Sequence, residues 1–123
     1  MESVFKIILS PENIMNQRKL FSEMNRNLTM LFGDKLKKII LYGSYAKNRQ
    51  TDESDIDFMV LVDESEDRLR KSKFPIADIM SESSLNHNIL ISITEETVHR
   101  YNELSQYLPF YKNISKEGIV IYG

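Results

Sequence analysis

The stretch LKKIILYGSYAKNRQTDESDIDFMVLV, residues 36–62, decides the reading of this chain. Leu36–Tyr42 is a short apolar run closed by Gly43, which predicts a strand. Ile56–Val62 is a second such run, apolar on both faces beyond Asp57, which predicts a central strand. Between them lies a polar segment, Gly43–Asp55. Gly43 permits a tight turn and a close backbone approach to a ligand. Tyr45–Asn48 reads as the start of a short helix, whose free N–H groups would face the Gly43-Ser44 turn and favour an anion such as a phosphate. The Ser44 hydroxyl adds a donor. Asp55 and Asp57 stand two apart at the mouth of the second strand, on one face of it. Two like charges so placed repel, and a divalent cation relieves them. Oxygen ligands suit Mg²⁺, which typically takes one or two carboxylates together with substrate phosphates. A phosphate cradle beside a metal platform suits phosphoryl or nucleotidyl transfer. Separately, a Gly-Ser turn or an Asp-x-Asp edge is ordinary turn chemistry. The joint pattern, in strand context, is what carries the inference.

Outward from this stretch the chain alternates helices and strands. Ser10 reads as an N-cap with Pro11 at the first helical position. Ile14, Phe21, Met24, Leu28 and Leu31 then form one face of a long amphipathic helix that stops at Gly33. Ser65–Asn86 reads as mostly helical, with Leu69, Ile76, Ile79 and Met80 inward and a kink or restart at Pro75. Asn88–Ile93 reads as a third strand. Thr94 is expected to cap a last helix with Val98, Tyr101, Leu104 and Leu108 inward, and Ile119–Tyr122 is a terminal strand or an extended arm. The order predicts an α/β sheet with helices packed on it; periodicity does not decide between parallel and mixed strands.

Composition narrows the function. The chain has 123 residues, which predicts one domain spanning 1–123: an N-terminal helical segment, 1–33, and a core, 34–123. Sixteen Lys and Arg against eighteen Asp and Glu give a net charge of -2, so a strongly basic nucleic-acid coat is excluded. Basic clusters at Lys35, Lys37 and Lys38 and at Arg68, Arg70, Lys71 and Lys73 read as solvated faces, which leaves nucleic acid a disfavoured partner. There is no cysteine, hence no disulfide scaffold, thiol chemistry or Cys-based zinc site. His87 and His99 lack partner spacing and read as structural. No apolar run approaches a membrane span and Met1–Ser10 lacks signal-peptide features, so the expected location is the cytoplasm.

Gly43-Ser44, ten residues, then Asp55-x-Asp57 resembles the signature of the DNA polymerase β nucleotidyltransferase superfamily. Within it the chain resembles the minimal nucleotidyltransferases, with a small mixed sheet and packed helices. The resemblance runs from Leu20 to the end. Lys35–Asp63 looks like the first two core strands, and Tyr107–Gly123 looks like the C-terminal segment of one subgroup. It implies transfer of a nucleoside monophosphate from an NTP, ATP foremost, to an acceptor, with two Mg²⁺ ions. Asp55 and Asp57 match the metal-binding carboxylates. Gly43 and Ser44 match the triphosphate turn, with Lys47, Arg49 and Ser54 beside it as nucleotide-binding groups. Lys47 and Arg49 read equally as exposed loop charges. Many such proteins pair with a HEPN-domain protein in toxin–antitoxin modules, and in some the transferase is the antitoxin and adenylylates a toxin tyrosine. Self-association is left open.

Two departures stand out. Asn48 replaces a frequent glycine, a mild change because Asn tolerates the left-handed conformation. The superfamily generally uses a third carboxylate on a later strand, and Asn88–Ile93 contains no acid; parity brings Leu90 or Ser92 to that face, with Leu90 expected at the acid's position. Asp78 and Glu82 read as solvated helix charges, and Glu95 and Glu96 as first-turn residues of the last helix. Three readings follow: a slow or partner-assisted nucleotidyltransferase, a binding module of the same fold acting as an antitoxin or regulatory subunit, and, least favoured, a plain α/β adaptor.

Overall fold

The computed structural model describes residues 11–47 and 55–123, with side chains from Met15 onward. The expected cap at Ser10, the Ile14 side chain and the segment 48–54 lie outside the described residues. Helix α1 spans Pro11–Phe32 and passes through a single 3-10 turn, Gly33–Lys35, into strand β1, Leu36–Tyr42. Strand β2 is Ile56–Val62. Helices α2 (Glu66–Arg70) and α3 (Lys73–His87) lead to β3 (Ile91–Thr97), and helices α4 (Val98–Leu104) and α5 (Pro109–Glu117) lead to β4 (Ile119–Tyr122).

The four strands form one mixed sheet in the order β3-β2-β1-β4. β1 pairs antiparallel with both β2 and β4, while β2 pairs parallel with β3. β2 is therefore central, as its two apolar faces predict. One face carries the main core: Ile39 and Leu41 of β1, Phe58, Val60 and Val62 of β2, and Ile91 and Ile93 of β3. Leu20, Met24 and Leu28 of α1, each four apart, seal it together with Ile76 of α3. The rings of Phe21 and Phe58 meet edge to face at 6.0 Å. Leu36 and Ile39 both reach this core although three residues apart, because the register shifts between Leu36 and Lys38. The other face is smaller. Ile40, Met59 and Leu61 pack there against Tyr101 of α4 and Ile114 of α5.

Several expected boundaries shift. The break in the 65–86 helix falls at Lys71-Ser72, before Pro75, which sits in the first turn of α3 where a missing N–H costs nothing. Strand β3 begins at Ile91 and runs through Thr97, so Asn88–Leu90 is no strand: Asn88 closes α3 in the left-handed conformation, φ 51°. Thr97, in place of Thr94, caps the next helix, its hydroxyl accepting from the Arg100 N–H at 3.0 Å. The last helix is two helices, and Leu108 is the exposed cap of the second one rather than an inward residue. Ile119–Tyr122 is a strand.

Candidate functional site

The site sits at one end of the sheet, on the face shared with α4 and α5. Tyr42 of β1, Asp57 of β2 and Ser92 of β3 form one row across three strands. The next row inward is Ile40, Met59 and Thr94. The fully buried contacts with α4 and α5 begin there, while the Tyr42–Asp57–Ser92 row is only half-buried.

β1 ends in a turn that bends the chain back over this row. Gly43 has φ +77°, a conformation that costs a side-chain-bearing residue about 1–2 kcal/mol. Its missing side chain matters as much. A Cβ there would lie 2.6 Å from Asp57 Oδ2, so the carboxylate occupies the space a larger residue would fill. The aspartate and the glycine turn thus meet in space. Residues 43–47 make one turn, closed by the Lys47 N–H donating to the Gly43 carbonyl at 3.2 Å. The expected short helix is, within 45–47, only this turn, and the Lys47 N–H is spent inside it.

Asp55 is exposed immediately before β2. Burial, and then the negative charge of Asp55, push the Asp57 carboxyl above its ordinary value. Tyr42 is also raised, chiefly by burial, with Asp57 adding to the rise and the hydroxyl's contact with Thr94 Oγ1 at 3.3 Å opposing it. Two carboxylates in mutual repulsion beside a side-chain-free turn fit a divalent cation bridged to substrate phosphates.

The third strand brings no acid to the pair. Ser92, not Leu90, stands opposite Asp57; Leu90 precedes the strand and is exposed, lending its carbonyl to the Ile56 N–H at 2.9 Å. β3 does contain Glu95 and Glu96, which belong to the strand and not to a helix's first turn. Neither is free. Glu95 accepts from the Ser72 hydroxyl at 2.6 Å, and Glu96 accepts from the Tyr111 hydroxyl at 2.9 Å and faces Arg100 Nε at 3.4 Å. Among the described residues no group of three or more acidic, His or Cys side chains could hold a metal.

Of the other expected site residues, Lys47 pairs with Glu117 of α5 at 3.0 Å. Arg49 and Ser54 lie outside the described residues, as does Asn48. His87 is structural, as expected, bonded to Glu23 at 2.9 Å. Tyr42 was not among the expected site residues. Its signal was its position directly before Gly43, which puts it in register with Asp57 once the two strands pair.

Three comparisons bear on this arrangement. The family model described as polymerase beta, nucleotidyltransferase matches residues 27–123. A protein of Methanocaldococcus jannaschii named as a candidate protein adenylyltransferase is 31% identical over 108 residues, which is 88% of this chain and the whole of that protein. A second protein of that organism with the same kind of name is 38% identical over 74 residues, 60% of this chain and 73% of its own length. In shape, the chain resembles a crystal structure described as a toxin-antitoxin with AMP-PNP, at a TM-score of 0.56 and 16% identity, over 84% of this chain and 73% of that one. That likeness speaks to the fold. The match over residues 27–123, together with a relative aligned along its whole length, places the chain in the polymerase β nucleotidyltransferase family.

Proposed function

We propose that this protein transfers the adenylyl group of Mg²⁺-bound ATP to a hydroxyl of an acceptor protein, an antitoxin-like role whose partner is a HEPN-domain protein. The observation that carries the reading is the approach of Asp57 to the Gly43 turn, which sets a carboxylate directly against a side-chain-free bend of the backbone. Names of the relatives support adenylyl transfer to protein, and the toxin-antitoxin resemblance supports a protein partner and ATP. Asp55 and Asp57 are the residues that would hold the cation. A divalent cation held by them would supply charge neutralisation for the triphosphate.

The chain's own groups position the reactants. The Gly43-Ser44 turn admits the triphosphate close to the backbone, and the Ser44 hydroxyl donates to a phosphate oxygen. The acceptor oxygen bonds to the α-phosphorus, the bond from that phosphorus to the bridging oxygen of the β-phosphate breaks, and pyrophosphate leaves. The hydroxyl proton must also leave, and Ser92 opposite Asp57 is no base. The acceptor therefore brings its own. Arg49 and Ser54 are proposed to join the phosphate contacts.

That same serine favours a second reading, a nucleotidyltransferase fold kept as a regulatory subunit with little turnover. The experiment is incubation of the protein with Mg²⁺, each NTP and its HEPN-type neighbour, followed by intact-mass spectrometry of every product. An adenylyl increment on the neighbour, dependent on ATP and Mg²⁺, establishes transfer. A tight complex without any mass change refutes it in favour of the regulatory reading.

A further inference from the structure

Helix α5 leans over the Gly43 turn, and the two enclose a cavity of about 180 Å³. Its apolar walls are the rings of Tyr42 and Phe110, which meet edge to face at 5.7 Å and 87°. One turn along α5 from Phe110, Asn113 lines the same cavity. Its amide has no hydrogen-bond partner among the described residues. A further turn on, Glu117 reaches the mouth, where it meets Lys47. Phe110 is 48% exposed, an aromatic ring left half in water directly beside the proposed phosphate turn.

A small cavity with a flat aromatic wall and one solvent-facing amide free of protein partners suits a planar heterocycle with a donor and an acceptor on one edge. Gly43 lines this cavity and also borders Asp57, so a single nucleotide can span both places. Among the bases, adenine offers an asparagine amide a bidentate edge: the amide oxygen accepts from the exocyclic N6 amine, and the amide NH₂ donates to N7. Guanine presents two acceptors, O6 and N7, on that same edge, so one of them would meet the amide oxygen, acceptor against acceptor.

We propose that this cavity is the base subsite, in which adenine stacks on Phe110 and is read by Asn113 while its phosphates run to the Gly43-Ser44 turn. The assignment rests on the reading of that turn as the triphosphate site. Calorimetric titration of the full chain with Mg²⁺ and ATP, GTP or inorganic tripolyphosphate separates the two. Asn113→Ala is expected to weaken ATP binding roughly tenfold, the worth of one bidentate contact, and to narrow the preference for ATP over GTP. Phe110→Ala is expected to weaken ATP by a similar factor of roughly ten through lost stacking. Tripolyphosphate binding stays unchanged in both. Both side chains are exposed, so circular dichroism of each variant should match the parent. ATP affinity unmoved by either substitution overturns the base subsite, as does equal weakening of ATP and tripolyphosphate. If the parent binds tripolyphosphate as tightly as ATP, the base subsite falls and the phosphate turn stands. If it binds neither, both fall.

Discussion

Gly43→Ala puts two separable effects on one residue. The first is backbone strain. At φ +77° an alanine costs about 1–2 kcal/mol, partly offset by about 0.4–1 kcal/mol from the stiffer unfolded chain. A net loss near ~1 kcal/mol lowers Tm by about 3–6 °C for a chain of this length. The second effect is steric. The new methyl would stand 2.6 Å from Asp57 Oδ2, against 3.4 Å for an ordinary contact, so the carboxylate must retreat by 0.8 Å. Metal–ligand distances tolerate roughly 0.2 Å, so the retreat exceeds that margin about fourfold. A mild fall in stability should therefore accompany loss of Mg²⁺-dependent ATP binding. Gly33→Ala is the control: φ there is +60°, with nothing within 4 Å of the new methyl, so it carries the strain alone. Thermal unfolding and calorimetric titration of both variants give the readout. ATP binding by Gly43→Ala equal to the parent's would refute the reasoning, as would an equal loss in Gly33→Ala.

Asp57→Asn should stabilise the protein near neutral pH. The raised carboxyl binds its proton more tightly folded than unfolded, so parent stability falls as pH climbs from the unfolded carboxylate value through the raised folded one, and Asn removes that fall. Urea denaturation across pH reads it; a variant less stable than the parent at pH 7 contradicts the burial argument. Ser92→Asp sets a third carboxylate opposite Asp57 and should tighten Mn²⁺ binding, followed by electron paramagnetic resonance; unchanged affinity would mean that Ser92 does not face the pair. Phe58→Ala, at a fully buried site under α1, should cost about 3–5 kcal/mol in chemical denaturation.

The strands β1 and β2 were legible because each is a mostly apolar seven-residue segment ending at a polar turn, and the spacing of Gly43, Ser44, Asp55 and Asp57 carried the family. The third strand was not. Ile89, Ile91 and Ile93 alternate as a strand should, but that alternation starts in the cap of α3, and the strand continues into Thr94–Thr97, where two glutamates and two threonines resemble a helix start. Glu95 and Glu96 are tolerated in a strand because Ser72 and Tyr111, both far off in the sequence, satisfy them, with Arg100 four residues on also facing Glu96. The separation of α4 from α5 was hidden likewise, since Leu104 and Leu108 keep helical spacing across the break. Strand parity narrowed the site's third row member to Leu90 or Ser92, and the choice needed the register: parallel pairing of β2 with β3 sets Ser92, not Leu90, opposite Asp57.

The most direct test compares Mg²⁺-dependent ATP binding by the parent with that of the Asp55→Ala, Asp57→Ala double variant, with circular dichroism to verify the fold. Saturable binding in the parent and none in a folded double variant is the expected result. Equal affinity in the two proteins would show that the nucleotide does not sit between the aspartates and the glycine turn.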